Sequence, residues 1–337
     1  MTDIHVLTTL PFTKEQMERL QAVSPHIVLH SHPTRNAEQI PEDILEETEI
    51  LYTLTTLPDP NMMPNLKWIQ FHFAGIDHAI EHPLIQQAVK VTTLSGAGVP
   101  QLSEFAVMAI LALGHHLHTM MRAAPEEQWA DGRNKRFSPL ELKGSTVGIV
   151  GYGSIGREIA RLVRTFGAEV LATKRDLRTL EDAGYQLEGL GDPQAEIPRR
   201  LYPPEALGSM VSECDFVVVT VPLTDDTRGL IDGRIFKKMK TSAYLIDISR
   251  GGVVNQEDLL KALTEDELAG AALDVYPGEP LPADSPMWKS DKLILTPHIS
   301  GNSPHYMERA VTLFAENLQR YVTNRPLINE FNPDRGY

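Results

Sequence analysis

The chain has 337 residues, 42% of them hydrophobic, and a formal net charge of −14 at pH 7. That is more than one hydrophobic core usually fills and enough apolar content to bury two, so two domains are expected. The acidity argues against general binding to nucleic acid or an anionic membrane, while leaving room for a small anion in a locally basic cleft. A single cysteine, Cys214, excludes an internal disulfide. It opens an apolar strand, where a buried, inert thiol suited to a reducing cytoplasm is the natural reading. The start MTDIHVLTTL has no basic segment followed by a long apolar one, and the most apolar run, 105–113, is too short to span a bilayer. Neither a leader nor a membrane span is expected.

In chain order, short apolar strands are predicted at 4–9, 27–30, 50–54, 68–71 and 91–94, alternating with polar, helix-compatible segments. That rhythm suits parallel pairing in a small βα unit better than hairpins. Residues 101–121 read as one helix, apolar on nearly every face through Leu102, Phe105, Ala106, Ala109, Ile110 and Leu113, and such a helix is buried between domains or subunits. From about Gly144 a second set of strands is predicted at 147–150, 169–173, 216–221, 243–248, 271–274 and 293–296. An amphipathic helix over 306–322 is expected to return to the first domain.

The second set opens with TVGIVGYGSIG, residues 146–156. Gly151, Gly153 and Gly156 there suit a tight turn, backbone room for a pyrophosphate, and close packing of the next helix. Apolar residues at 155, 159, 162, 163 and 166 recur with helical spacing, so the glycines sit at a strand-to-helix junction that aims N–H groups at an anion. Later strands end in Thr220, Val221 and Pro222; in Ser249, Arg250, Gly251 and Gly252; in Asp274; and near His298. Ligands of a doubly wound sheet bind where strands stop, so one crevice would collect these groups. Arg250 supplies a planar fork for a carboxylate, and His298 a proton donor or acceptor near neutral pH. Glu279, in the turn PGEP, would hold the second imidazole nitrogen and favour the protonated ring. No His, Cys or Asp spacing looks like a ligand set, so no metal is expected; His115 and His118 would line a seam.

The motifs GYGSIG, VPLTDDTRGLI, SRGGVVNQEDLLKAL, AALDVYPGEP and TPHISG, in this order, resemble the NAD(P)-dependent D-2-hydroxyacid dehydrogenase family. The likeness is dense from Gly144 to Gly301 and looser before it. It implies an α/β fold of two Rossmann-like domains. A doubly wound, parallel-sheet coenzyme domain (101–299) would be inserted in a smaller flavodoxin-like substrate domain (1–100 and 300–337). It also implies a hydride transfer between a nicotinamide and a small 2-keto or 2-hydroxy acid of D configuration, such as glyoxylate or hydroxypyruvate, with Arg250, Glu279 and His298 as the catalytic set. Coenzyme contacts would come from Gly151, Tyr152, Gly153, Ser154, Ile155, Gly156, Thr220, Val221, Pro222, Thr227, Ile248, Ser249 and Gly301, and Asp274 would reach the nicotinamide carboxamide. Ala74, Gly75 and Ile76 would present N–H groups to the substrate carboxylate. Tyr52 to Thr55, His72, Phe73, Trp288 and Tyr306 would shape its pocket, and a homodimer would form around the helix after Gln101. Two rivals are a dinucleotide-sensing scaffold and a formate- or phosphite-type dehydrogenase. Intact Arg250, Glu279 and His298 speak against the scaffold, and Glu279 against formate.

Two features depart from the usual pattern. An acidic residue about 20 positions past the last glycine ordinarily holds the ribose 2′-hydroxyl of NAD. Here Lys174 and Arg175 occupy that strand end, followed by Asp176 and Arg178. Cations there suit a 2′-phosphate, so NADP(H) is favoured, with NAD(H) the alternative if Asp176 takes the hydroxyl. The stretch 177–204, rich in glycine and proline, is also long for a connection and is expected near the adenosine end or at a partner subunit.

Overall fold

The computed structural model describes residues 3–87, 89–124, 132–182 and 184–333. Two compact units divide the chain: Met1–Gly98 with Gly184–Leu187 and Ser303–Tyr337, and Val99–Ala183 with Glu188–Asn302. Gly184–Leu187 groups with the first unit although the chain on either side of it groups with the second.

The first unit holds five strands, β1 (Ile4–Thr8), β2 (Ile27–Ser31), β3 (Ile50–Thr53), β4 (Trp68–Phe71) and β5 (Lys90–Thr92). They pair in parallel in the order β2-β1-β3-β4-β5, the flavodoxin-like winding. Alternate residues face opposite cores, as the two-residue period of a strand requires. Leu7, Leu51, Ile69 and Phe71 join one core. Val6, Ile50, Tyr52 and Trp68 join another, with Val311, Phe314 and Leu318 of the helix Tyr306–Val322. The carboxyl-terminal helix therefore covers this sheet, as its amphipathic pattern required.

The second unit adds β6 (Thr146–Val150), β7 (Glu169–Thr173), β8 (Arg200–Tyr202), β9 (Phe216–Val219), β10 (Tyr244–Asp247), β11 (Gly270–Leu273) and β12 (Leu293–Leu295). Their order, β12-β11-β10-β9-β6-β7-β8, is all parallel. It reverses between β6 and β9, the switch point where dinucleotides bind. Val217, Val219 and Leu245 face one core and Phe216, Val218 and Ile246 the other, so central strands are buried on both sides. Cys214 is buried in the first of these, donating to the Met210 carbonyl at 3.1 Å, and burial pushes its thiol up to about 12. A Cβ on Gly148 would stand 2.4 Å from its sulfur.

The expected single helix over 101–121 is two helices, Val99–Gly114 and Leu117–Ala123, with His116 between them at φ 54°. The Gly114 carbonyl accepts from Leu140 N–H, and a Cβ on Gly114 would lie 2.8 Å from the Leu140 oxygen. His116 Nε2 donates to the Ser138 carbonyl at 2.9 Å. The crossing segment turns the chain there, and continuous apolar character could not reveal it.

The stretch 177–204, whose residue 183 lies outside the described residues, forms the sheet's outermost strand, β8, and a platform on the helix Ser154–Thr165. Arg157 of that helix is only 2% exposed and donates to the carbonyls of Leu180 and Asp192. It lies 3.7 Å from Asp182 and 5.0 Å from the Tyr152 ring centroid. Glu158 accepts from Gly191 N–H at 2.6 Å, and Asp192 from Tyr152 OH at 2.6 Å and from the N–H groups of Glu196 and Ile197, each at 3.0 Å. In the first unit, Tyr185 packs with Leu94, Ala97, Ala310 and Leu313. Arg157→Met leaves two carbonyls and a carboxylate without their cation, so it should cost about 3 kcal/mol. Thermal unfolding with hydrogen exchange checks this: loss of protection should centre on 178–197, and unchanged protection there would contradict the assignment.

Candidate active site

The dinucleotide turn assigns each glycine a separate steric task. Gly151 has φ 103°, and a Cβ there would strike Val221 at 2.7 Å, so β6 and the end of β9 close on each other. Thr220 Oγ1 donates to the Gly151 carbonyl at 2.8 Å and fixes that approach. A Cβ on Gly156 would meet the Gly151 oxygen at 2.3 Å, which is the close packing of helix on strand. Gly153 has open space where a side chain would be, and the helix begins there with no side-chain cap. N–H groups at the start of Ser154–Thr165 are thus left without a side-chain cap beside open space, an arrangement suited to an anion. Ser154 and Ile155 form the first turn, Ile155 leaning on the core. Tyr152 N–H donates to the Thr173 carbonyl, and its ring is buried against Arg157 and Asp192, where it helps hold the platform.

At the end of β7, Lys174 N–H donates to the Tyr202 carbonyl, so β8 sets that residue's position. Burial and the nearby Arg157 lower the ammonium from its ordinary value, while Asp182 and Asp176 oppose them. Arg175 is exposed. Asp176 is also exposed and accepts from Arg178 N–H at 2.8 Å, capping its own turn. Further along the sheet, Pro222 and Thr227 tie the loop after β9 into a closed turn, with Thr227 Oγ1 donating to the Pro222 carbonyl at 2.6 Å.

The ends of β10, β11 and β12 are neighbours, so the segments carrying Arg250, Glu279 and His298 leave one edge of the sheet side by side. Ile248 and Ser249 follow β10 in buried positions, and Arg250 comes next, its Nη1 donating to the Ser249 carbonyl at 2.9 Å. A Cβ on Gly251 would lie 1.9 Å from the Tyr276 oxygen, so the Arg250 turn is pressed against the backbone that leads to Glu279. Only glycine permits that approach. Glu279 Oε1 accepts from Tyr276 N–H at 3.0 Å, and Oε2 lies 2.7 Å from His298 Nδ1. A carboxylate only accepts, so Nδ1 carries the hydrogen and Nε2 is the nitrogen presented to a ligand. His298 has φ 50°, a left-handed conformation costly for a non-glycine residue. Its neighbours hold it there: Ile299 N–H and Thr296 Oγ1 donate to Asp274 Oδ1, and Ser300 N–H to Oδ2. Asp274, read from sequence as a coenzyme ligand, is fully buried with both oxygens engaged in anchoring this loop. Gly301 closes the loop, its carbonyl accepting from Gln101 Nε2 at 2.9 Å.

In the first unit, Ala74, Gly75 and Ile76 follow β4, and their N–H groups donate to no other described residue. His72 and Tyr52, expected in the pocket wall, are buried; Tyr52 OH lies 2.6 Å from His72 Nδ1, and Tyr306 OH donates to the His72 carbonyl at 2.8 Å. Burial lowers His72 to about 4, so the ring is a neutral acceptor for Tyr52. These two stiffen the loop from beneath, while Phe73 is exposed beside it. Trp288, in the other unit, is exposed and donates to the Pro282 carbonyl at 2.9 Å.

One participant escaped the sequence reading. Asp247, the last residue of β10, is buried, and its Oδ1 accepts from Ser249 N–H at 3.0 Å and Ser249 Oγ at 2.5 Å, which shapes the turn before Arg250. Burial pushes its carboxyl up to about 7, with Asp274 adding to the push and the Ser249 hydrogen bonds opposing it. An acid inside an apolar run is the only sequence signal. The folded state keeps this proton to about pH 7 while the unfolded chain releases it near 3.8, so Asp247 makes stability fall as pH rises between those values. In Asp247→Asn that dependence should vanish: the variant's melting temperature relative to the parent should be higher at pH 8 than at pH 5. A pH-independent offset would contradict the buried titration.

Comparison with known proteins identifies the family. A family model described as D-isomer specific 2-hydroxyacid dehydrogenase, NAD binding domain, matches residues 107–300. A glyoxylate reductase of Thermofilum pendens is 34% identical over 285 residues, 83% of this chain and 80% of its own. The glyoxylate reductase/hydroxypyruvate reductase of Mus musculus is 36% identical over 261 residues, 75% of this chain and 73% of its own. Among solved structures, a D-isomer specific 2-hydroxyacid dehydrogenase from Xanthobacter autotrophicus in complex with NADPH and MES matches at TM-score 0.80 and 26% identity, covering 100% of both chains. An NADPH-dependent glyoxylate/hydroxypyruvate reductase from Sinorhizobium meliloti, in complex with NADP and sulfate, matches at TM-score 0.80 and 25% identity, covering 99% of this chain and 100% of that one. The chain belongs to the D-2-hydroxyacid dehydrogenase family and is a nicotinamide-dependent oxidoreductase of that kind.

Proposed function

We propose that this enzyme reduces a small 2-keto acid, glyoxylate or hydroxypyruvate, to the 2-hydroxy acid, with D configuration where the product is chiral and NADPH as the favoured reductant. The observation that carries the reading is the 2.7 Å pair of His298 Nδ1 and Glu279 Oε2, beside the turn that bears Arg250. Gly151, Gly153 and the first turn at Ser154 would hold the diphosphate, and Thr220, Val221 and Pro222 the neighbouring part of the coenzyme. When bound, the reduced nicotinamide supplies a hydride to the carbonyl carbon. Arg250 binds the carboxylate and polarises the carbonyl through its planar fork. His298 Nε2 gives its proton to the carbonyl oxygen and takes one back in the oxidative direction. Glu279 keeps the imidazole oriented and balances its charge before the transfer. Ala74, Gly75 and Ile76 offer N–H groups suited to a carboxylate oxygen.

The coenzyme preference rests on Lys174 and Arg175, with Asp176 committed to its own turn. The named reductase of Sinorhizobium meliloti is NADPH-dependent, which supports the same choice here. A cytoplasmic homodimer is part of the reading. Met108, Leu117, Met120 and Met121, exposed on the helices Val99–Gly114 and Leu117–Ala123, offer an apolar face for the second copy, and the buried Cys214 suits a reducing compartment.

A panel of 2-keto acids assayed with both coenzymes tests this. Glyoxylate or hydroxypyruvate should be reduced with kcat/KM at least ~10-fold higher for NADPH than for NADH, a difference of about 1.4 kcal/mol. Lys174→Ala/Arg175→Ala should lower the NADPH value by ~10-fold or more with little change for NADH. A strong NADH preference overturns the coenzyme assignment, and turnover of formate or phosphite alone overturns the substrate class.

A further inference from the structure

A second cluster of chemically competent side chains lies in the first unit, among residues with no part in the coenzyme or substrate chemistry. On β1 and β2, His5 pairs with Val28 and Leu7 with His30, so both histidines stand on the face that carries Leu7. The helix Glu42–Glu47 covers that face through Leu45, and Glu47 ends it at the rim. His5 Nδ1 consequently lies 3.1 Å from His30 Nε2 and 3.2 Å from Glu47 Oε2. All three ligand atoms fall within 4.8 Å of one another, the one such grouping of three among the described residues. With centroids 5.3 Å apart and planes 13° apart, the imidazoles meet through their edges, nitrogen toward nitrogen.

We propose that His5, His30 and Glu47 form a binding site for a borderline divalent transition cation such as Zn(II), holding β1, β2 and the end of the covering helix together. A single proton on His5 is shared toward two acceptors in this arrangement, whereas a divalent cation engages all three lone pairs at once. Zn–N and Zn–O distances of about 2.1 Å put tetrahedral ligand atoms about 3.4 Å apart, so the 3.1 and 3.2 Å separations open by a few tenths of an ångström while the two imidazoles turn to converge their lone pairs on the cation. Two imidazoles and one carboxylate select Zn(II), Co(II) or Ni(II) over Mg(II) or Ca(II), which prefer oxygen ligands. The His5 side chain is 24% exposed and that of Glu47 59%, so the cation enters from solvent and water completes its shell. The ligands come from two strands and a helix far apart in sequence, which is why no ligand spacing is visible in the chain.

The test uses metal-stripped, untagged, full-length protein titrated with Zn(II) by calorimetry, with Co(II) absorption as a second probe. One Zn(II) should bind per chain and raise the melting temperature, and Co(II) should show the visible bands of a four- or five-coordinate site. His30→Asn and the exposed Glu47→Gln should each weaken binding by at least ~10-fold while keeping the parent's circular dichroism and 2-keto acid reduction. Absence of binding, or equal binding by the parent and both variants, overturns the site. The outcome is independent of whether the proposed substrate and coenzyme are correct.

Discussion

Asp274 ends the middle of three neighbouring strands, fully buried, and its carboxylate receives hydrogen bonds from Thr296, Ile299 and Ser300 of the next strand's loop. A buried charge without such partners is costly, so the loop and the carboxylate require each other. His298 lies within that loop and is held in a left-handed conformation it would not adopt unaided. On the other side of β11, the backbone at Tyr276 touches the turn of Arg250 so closely that residue 251 has to be glycine. Arginine, glutamate and histidine are thus set by backbone packing and one buried acid. Long flexible side chains alone would leave them loose.

The same economy governs the coenzyme end. Gly151 and Gly156 are needed because backbone or side-chain atoms already fill the space a Cβ would take, while Gly153 leaves its space open. The platform built from 178–182 and 188–197 is fastened to the fingerprint helix by Arg157 and Glu158, which sequence periodicity alone would place in solvent. It adds β8 to the sheet, and through the Tyr202 carbonyl it fixes the backbone of Lys174. A cation at that strand end is therefore held by tertiary structure.

Much of this was legible in the residues. Apolar runs of four to six residues, bounded by glycine and proline, marked the central parallel strands because burial on both faces demands continuous hydrophobicity. The glycine spacing and the chemistry at successive strand ends pointed to one crevice, and His298, Glu279 and the Arg250 turn do come to one sheet edge. What escaped was whatever depends on a distant partner. The three residues of β8 are too few for a pattern, and the turn at His116 is forced by Leu140 and Ser138. Tyr152 and Asp247 face inward because of Asp192 and Ser249. Phe166, placed on the apolar side by spacing, is exposed.

In the proposed mechanism His298, oriented by Glu279 at 2.7 Å, moves the proton that accompanies hydride transfer. Single-turnover reduction of glyoxylate, measured beside coenzyme affinity by fluorescence, tests it most directly. In His298→Asn the reduction rate should fall by roughly 10²–10⁴-fold, and in Glu279→Gln by a smaller factor, while NADPH binds both variants as it binds the parent. A His298→Asn variant that reduces glyoxylate at the parental rate would contradict the account.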